Sequence, residues 1–198
     1  MAKQLRRITR LPILGAVIGT DFAELLTAAQ AGSEAAFSRL WRDANPALVR
    51  YLRVMAPDVA EDVAADTWLR VVRSLARFSG NEQAWRAWLF TIARRRVIDE
   101  ARRRSRRQAV PLDDGTEPPP ARDAADTALE HLATRAALAQ VARLPALQAE
   151  VIMLRVVAGL DTETVARLTG RSPGAVRVAA HRGLRRLARL LAESGVTL

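Results

Sequence analysis

The chain has 198 residues, and 49% of them are hydrophobic, which is enough for one large or two small packed cores. Its 31 lysines and arginines outnumber 21 acidic residues, so the net charge of +10 predicts a nucleic acid or an anionic membrane surface as partner. Cysteine is absent, which excludes disulfides, thiolate metal sites and cysteine nucleophiles within this chain. His131 and His181 lack the spacing of metal ligands, and we expect neither a metal nor another cofactor.

The beginning of the chain combines a basic segment with the short apolar run LPILGAVIG. This layout is similar to a secretory signal, but Pro12 and Gly15 interrupt the apolar run, and it is too short to span a bilayer. We therefore interpret residues 1–20 as a mobile N-terminal extension without membrane insertion, or as the product of a start codon placed too far upstream. The remaining residues predict a cytoplasmic protein that binds DNA.

Residues 21–107 carry apolar side chains at helical spacing and lack the sustained alternation of a strand. The first helix is predicted to continue through AGSEAAFSRLW, and Pro46 is expected to open the second helix. Asp58 is expected to cap a third helix. The third helix has a predicted apolar stripe formed by Val63, Thr67, Val71 and Leu75. A break at residues 79–81 precedes a fourth helix, predicted over about residues 83–105.

Proline and acidic residues dominate residues 108–127, and this composition predicts an extended linker. Residues 128–192 are predicted to form a second helical body, with one helix starting near Ala128 and another after Pro145. Gly159 is expected to cap the latter helix. The predicted fold is therefore all-α, with two small helical domains joined by a flexible linker.

The second body ends in a segment, residues 160–191, with the layout of a helix-turn-helix. Asp161 can cap a short first helix, and Gly170 stands where the turn needs a positive φ. Ser172 and Pro173 then form a strong start for the second helix. The face of this helix that is expected to be buried consists of Val176, Ala180, Leu184, Leu187 and Leu191. A major groove admits such a helix, although an ordinary helical hairpin with a solvated basic face is the alternative.

The fourth helix of the first body joins an aromatic half to a basic half. Trp85, Trp88 and Phe90 precede eight arginines within residues 94–107. Aromatic rings beside a track of arginines are typical of sites for unpaired nucleotides, because bases stack on the rings while arginines follow the phosphates. The alternative is that the aromatic residues form core and the arginines solvate the helix.

The third helix carries the opposite charge near its N-terminus, at Glu61, Asp62 and Asp66. Carboxylates at this end also suit the helix dipole, which is the simpler explanation. If this acidic face is a functional surface, it predicts a partner protein with basic residues.

Together, these motifs resemble the extracytoplasmic-function (ECF) subfamily of the sigma-70 family of bacterial RNA polymerase sigma factors. AEDVAADTWLRVVRSL is similar to the helix that docks on the β′ clamp of the polymerase. AWRAWLFTIARRRVIDEARRR is similar to the segment that melts the promoter and reads the minus-ten element. GLDTETVARLTGRSPGAVRVAAHRGLRRL is similar to the helix-turn-helix that reads the minus-thirty-five element.

The resemblance implies that residues 21–107 form sigma region 2 and that residues 128–192 form sigma region 4. The implied contacts with core polymerase are Glu61, Asp62, Asp66 and Trp68. The implied contacts with the minus-ten element are Phe78, Asn81, Trp85, Arg94, Arg95 and Asp99. The implied contacts with the minus-thirty-five element are Ser172, Arg177, Val178, His181 and Arg182.

The implied partners are core RNA polymerase, through its β′ clamp and β flap, promoter DNA and an anti-sigma factor. The implied function is to direct the polymerase to specific promoters and to help melt the DNA, without covalent catalysis by this chain. A stand-alone helix-turn-helix repressor is the alternative, but no separate dimerisation helix is evident. A recombinase would need a nucleophile, and Tyr51, the only tyrosine, has no catalytic motif beside it.

Overall fold

The computed structural model describes residues 18–108 and 128–193, with side chains described for 18–106 and 134–193. The expected linker from residue 109 onward, and the expected extension before residue 18, lie outside the described residues. The described parts of the chain are helical and contain no strand, which confirms the all-α prediction.

The described N-terminal part contains four α-helices and three short 3-10 turns. The α-helices are α1 (Phe22–Gln30), α2 (Glu34–Met55), α3 (Ala60–Ser74) and α4 (Glu82–Gln108). The described C-terminal part contains α5 (Ala128–Ala142), α6 (Ala146–Ile152), α7 (Thr162–Thr169) and α8 (Pro173–Glu193). One π-helical turn, Met153–Val157, continues α6 and ends just before Gly159, whose φ is +69°.

The boundary between α1 and α2 differs from the prediction. The chain turns at Gly32, where φ is +93°, and the Oγ of Ser33 then caps α2 by accepting from the Ala36 amide at 3.3 Å. Pro46 does not open a helix but lies inside α2. An interior proline removes one backbone hydrogen bond. Burial of Leu40 before it and Leu48 after it, both fully inaccessible, keeps the helix continuous.

The start of α3 also differs from the prediction, because Asp58 does not cap it. Asp58 lies in the 3-10 turn before α3, and the N-cap residue Val59 has no side-chain hydrogen bond. The Asp58 carboxylate instead accepts from the guanidinium of Arg104 at 2.6 Å, which ties this turn to α4. The predicted apolar stripe of α3 is buried, at Val63, Thr67, Val71 and Leu75.

Aromatic side chains form much of the core of the N-terminal body. The indole of Trp85 is fully buried. Four rings surround it at centroid distances of 5.5–6.5 Å, namely Phe22, Trp68, Phe78 and Trp88. The rings of Tyr51 and Phe90 meet edge to face at 5.4 Å and join α2 to α4.

A buried ion network fixes the start of α4 against α2. The guanidinium of Arg86 donates to Asp43 at 2.8 Å and to Glu82 at 3.1 Å, and both the Arg86 and Asp43 side chains are 6% exposed. The two oxygens of Glu82 also accept from the amides of Ile18 and Gly19. Burial raises the pKa of Asp43, and the attraction of Arg86 opposes this rise only in part.

The two bodies pack against each other as well as within themselves. Helix α2 contacts α5 and the π-helical turn, and one hydrophobic cluster extends through both bodies. Polar contacts also cross this boundary, from Arg94 to Glu150 and from Gln83 to the carbonyl of Gly159. The described residues therefore show the two domains in direct contact.

The buried face of α8 differs slightly from the prediction. Its buried residues are Val176, Ala179, Gly183, Leu187 and Leu191, whereas Ala180 and Leu184 are half-buried. A glycine belongs to this face because α6 approaches it closely. A Cβ at position 183 would lie 2.8 Å from Ile152 Cδ1 and 3.2 Å from Gln148 Cβ.

We predict that Gly183→Ala is less stable than Gly174→Ala by about 1–3 kcal/mol, because the methyl group added at position 183 overpacks the contact between α6 and α8, whereas both variants gain helix propensity. Thermal unfolding followed by circular dichroism measures the effect. Gly174→Ala is the matched control on the same helix, since its Cβ would meet nothing closer than Ser172 Oγ at 3.9 Å. Equal melting temperatures for both variants would contradict this account of the packing.

Candidate nucleic-acid and protein interfaces

Three local features build the helix-turn-helix, and all three were predicted. The carboxylate of Asp161 accepts from the Thr164 amide at 2.7 Å and caps α7. This backbone hydrogen bond holds the pKa of Asp161 below its usual value. Gly170 ends α7 with a φ of +66°. The Oγ of Ser172 accepts from the Ala175 amide at 3.2 Å at the start of α8.

The N-terminal half of α8 presents a basic exposed face. Arg177, Val178, His181 and Arg182 all lie on the surface, while Val176 and Ala179 anchor the opposite face. Val178 is 48% exposed, so its aliphatic side chain is available on this surface. Ser172 is exposed too, but its hydroxyl is engaged in the cap.

The turn before α4 is held firmly. The Oδ1 of Asn81 accepts from the Ala84 amide at 2.9 Å and caps the helix. The half-buried ring of Phe78 stacks on Trp88 at 4.9 Å. Gly80 has a φ of +146°, and a Cβ there would lie 2.8 Å from Ala84 Cβ, so the turn requires glycine.

Trp85 differs from the other residues predicted to contact the minus-ten element. Its side chain is 0% exposed, so in this structure the ring cannot stack on a base. It lies beneath Phe78 and supports the turn from inside. This agrees with the alternative interpretation, in which the aromatic residues of this helix form core. Periodicity alone could not separate a buried ring from a ring available to a nucleotide.

The basic half of α4 divides into an engaged part and an exposed part. Arg94 is half-buried and its Nε donates to Glu150 at 2.7 Å, whereas Arg95 and Asp99 are exposed. Exposed arginines continue towards the end of the helix at 102, 103, 104 and 106. Arg94 and Arg95 also border a cleft of about 330 Å³, whose other wall includes Arg167 of α7.

The acidic end of α3 is exposed at Glu61 and Asp62. Asp66, half-buried, forms an ion pair with Arg96 of α4. Trp68 is only 8% exposed, and its Nε1 donates to the Asn45 side chain at 2.9 Å. The four predicted residues thus separate into two exposed carboxylates and two side chains that pack against neighbouring helices.

An apolar strip on α3 was missed by the sequence analysis. Leu69 and Val72 are 52% and 55% exposed, and Ala65 is exposed as well. With Asp62 these residues follow a spacing of three, four and three, so they share one outward face of the helix. The same spacing in the sequence would have revealed them, had both faces of the helix been searched for apolar residues.

The described residues hold no group of three or more side chains placed to bind a metal ion. Among the same residues, no helix has the length and apolar character needed to cross a membrane.

Comparison with known proteins matches both bodies to sigma factor families. The family model for Sigma-70 region 2 matches residues 39–107, and the model for Sigma-70 region 4 matches residues 134–187. BldN of Streptomyces coelicolor, an ECF RNA polymerase sigma factor, is 35% identical over 86% of this chain and 66% of its own length. SigD of Mycobacterium tuberculosis, another ECF sigma factor, is 34% identical over 85% of this chain and 83% of its own.

Two solved structures share the fold. CnrH in complex with the cytosolic domain of CnrY is similar with a TM-score of 0.59 at 22% identity, covering 88% of this chain and 99% of that one. The sigma factor RpoE of Bartonella quintana, in complex with the anti-sigma factor NepR, gives 0.58 at 26% identity, covering 79% and 96%.

The chain therefore belongs to the sigma-70 family, in its ECF subfamily. It is an alternative sigma factor, a protein that directs core RNA polymerase to promoters and helps open the DNA at the start of transcription. Its two bodies are sigma region 2 and sigma region 4.

Proposed function

We propose that this sigma factor divides its task among three surfaces. The outward face of α3 binds core polymerase, the turn before α4 and the arginines of α4 bind the minus-ten element, and the exposed face of α8 binds the minus-thirty-five element. The distribution of exposed groups supports this division. Carboxylates at the start of α3 and an apolar strip share its outward face, where Arg73 is also exposed, whereas exposed arginines cluster on α4 and α8.

The polymerase-binding face consists of Glu61, Asp62, Ala65, Leu69 and Val72. Its carboxylates would meet basic residues of the β′ clamp, and its apolar strip would bury against a clamp helix. Asp66 and Trp68 support this face from within, because both contact neighbouring helices.

The minus-ten surface consists of the turn at residues 78–81 with Arg94, Arg95 and Asp99. A rigid turn next to an exposed basic helix can hold an extruded base while arginines neutralise the adjacent phosphates. Trp85 contributes to this surface by supporting Phe78 rather than by touching DNA.

The minus-thirty-five surface consists of Arg177, Val178, His181 and Arg182, with Ser172 holding the N-terminus of α8 in position. Arginine can bind guanine with two hydrogen bonds, and an apolar side chain can contact the methyl group of thymine. We therefore assign Val178, whose aliphatic side chain is exposed, to a thymine methyl.

We propose that the protein acts in the cytoplasm, because core polymerase acts on the chromosome there. We also propose an anti-sigma partner, because RpoE of Bartonella quintana, similar in fold and 26% identical in sequence, was solved with the anti-sigma factor NepR. We propose no covalent catalysis by this chain.

Run-off transcription with purified core polymerase and a fragmented genomic library tests this function. We expect new start sites that depend on this protein and share two spaced upstream elements, since both DNA-binding surfaces belong to one chain. Tight duplex binding by the protein alone, without new start sites, would instead support a helix-turn-helix repressor.

We predict that Asp62→Arg and Arg182→Ala separate the two activities. Asp62→Arg should weaken core-polymerase binding about tenfold by replacing attraction with repulsion, and should leave DNA binding nearly unchanged. Arg182→Ala should weaken minus-thirty-five binding about tenfold and leave polymerase binding nearly unchanged. Fluorescence anisotropy measures both affinities, with this protein labelled for the titration with core enzyme and with the duplex labelled for DNA binding.

Two matched variants control for the change of net charge. Glu24→Arg reverses an exposed carboxylate on α1, and Arg189→Ala removes an exposed arginine near the end of α8. Glu24→Arg should not weaken core-polymerase binding, and Arg189→Ala should not weaken minus-thirty-five binding. If Asp62→Arg and Arg182→Ala each reduced both affinities equally, the assignment of the surfaces would be wrong.

We predict that Val178 recognises a thymine methyl group in the minus-thirty-five element. Replacing that thymine with deoxyuridine should weaken binding of the natural protein about fourfold, as expected for one buried methyl group. The same replacement should have little effect on Val178→Ala, which already lacks the contact. Equal losses for both proteins at every thymine of the element would remove Val178 from base recognition.

A further inference from the structure

The cleft between α4 and α7 is lined by side chains that favour an anion. Its volume of about 330 Å³ falls at the lower end of the range of small-molecule clefts, about 300–1,000 Å³. Three arginines line it, Arg94 and Arg95 from α4 and Arg167 from α7. No carboxylate is among the described residues that form its walls. A concave surface lined by one sign of charge focuses the field and attracts ions of the opposite sign.

Neighbouring carboxylates offset this positive charge only in part. Glu150 pairs with the Nε of Arg94 at 2.7 Å and so offsets one arginine. Asp161 attracts Arg167, but its carboxylate accepts from the backbone as the cap of α7. Arg95 is exposed, and it forms no ion pair with another residue in the described part of the chain. The cleft therefore keeps an excess of positive charge.

Guanidinium donors are available from both walls of the cleft. The Nη2 of Arg167 donates to the Oγ1 of Thr164 at 2.9 Å, which steadies the guanidinium against α7 without cancelling its charge. The bond from Arg94 to Glu150 uses Nε, so the two terminal amino groups of Arg94 remain as donors. A planar guanidinium binds phosphate oxygens with two parallel hydrogen bonds, so arginine suits phosphate groups in particular.

A diphosphate fits this arrangement better than a single small ion. It spreads several negative charges over many oxygens, so it can accept from guanidiniums on both walls at once. Ala87 and Leu168 also line the cleft and add apolar surface beside the arginines. An organic group attached to the diphosphate can pack against that surface, as in a nucleoside diphosphate.

We propose that this cleft binds a small molecule that carries a diphosphate, with Arg94 and Arg95 on one side of the anion and Arg167 on the other. Nucleoside diphosphates are the favoured class, because Ala87 and Leu168 can contact the nucleoside. The bound ligand competes with the melted strand for Arg95, so its concentration regulates minus-ten binding. This regulatory part rests on the proposed role of Arg95 at the minus-ten element, whereas ligand binding itself does not.

Isothermal titration calorimetry on the full chain tests the site, with inorganic pyrophosphate as the probe at constant ionic strength. We expect saturable binding at one site, and Arg167→Gln should weaken it about tenfold by removing a charge-assisted hydrogen bond. Arg171→Gln is the matched control, since Arg171 is exposed next to α7 but does not line the cleft. Absence of saturable binding, or equal affinities for Arg167→Gln and the control, would overturn the proposal.

A second variant tests whether the anion contacts both walls. Arg95→Gln on the opposite wall should also weaken pyrophosphate binding about tenfold, because the ligand lies between the two helices. If Arg95→Gln weakened binding and Arg167→Gln did not, the anion would lie on the open surface of α4. That result would overturn the assignment to the cleft.

Comparison of ligands identifies the chemistry that the cleft accepts. Adenosine or guanosine diphosphate should bind more tightly than pyrophosphate if the nucleoside contacts the wall, and equal affinities would overturn the nucleoside part of the proposal. Sulfate should bind at least about tenfold more weakly than pyrophosphate, because it offers fewer oxygens to the arginines. Equal binding of sulfate would indicate general attraction to a basic surface and would overturn a specific diphosphate site.

The regulatory part is tested with a labelled single strand copied from the minus-ten element of a mapped promoter. Saturating pyrophosphate should weaken strand binding by the natural protein and should have little effect on Arg167→Gln, which binds the anion poorly. Anion binding without this competition would overturn regulation. Protein-dependent start sites in run-off transcription would stand in every case, because promoter recognition needs no ligand in the cleft.

Discussion

The buried indole of Trp85 is the contact on which the N-terminal body depends. Four rings from α1, α3, α4 and the turn before α4 surround it within 6.5 Å. A side chain of this size buries a large apolar area and also sets the spacing of the helices around it. The turn that carries Phe78 and Gly80 is therefore held by the core of the domain, and its geometry does not depend on DNA.

Polar contacts determine how the helices are oriented around that core. The pairing of Arg86 with Asp43 and Glu82 locks the start of α4, and Asp58 with Arg104 ties the far half of α4 to the turn before α3. Asp66 pairs with Arg96 between these points. The first network is buried, so its loss would leave uncompensated charge inside the protein, whereas the exposed Asp58 pair contributes little to stability.

We propose that the charges left on the surface direct these helices to different partners. The exposed carboxylates Glu61 and Asp62 lie beside the apolar strip of α3, which suits a protein surface. Exposed arginines cluster on the late half of α4 and on α8, which suits a polyanion, and two more, Arg70 and Arg73, are exposed on α3. A strongly basic chain can thus bind both DNA and a protein without its positive charge repelling the latter.

Local sequence signals determined the helix-turn-helix almost completely. Asp161, Gly170 and Ser172 each act within three residues of themselves, through a cap, a left-handed turn and a second cap. Such contacts depend on the backbone nearby and are visible in the order of residues. The helical periodicity likewise revealed the all-α fold and the buried stripe of α3.

Only the tertiary structure decided which of the remaining residues are available. Pro46 looked like a helix start, but the packing of residues on both sides of it keeps α2 continuous. Trp85 and Phe78 are both aromatic residues near a basic helix, and only packing makes one fully buried and the other half-exposed. The pairing of Arg94 with Glu150, 56 residues apart, depends on how two bodies meet. Sequence patterns report contacts between neighbours along the chain, whereas burial and ion pairing between distant segments arise when those segments pack in space.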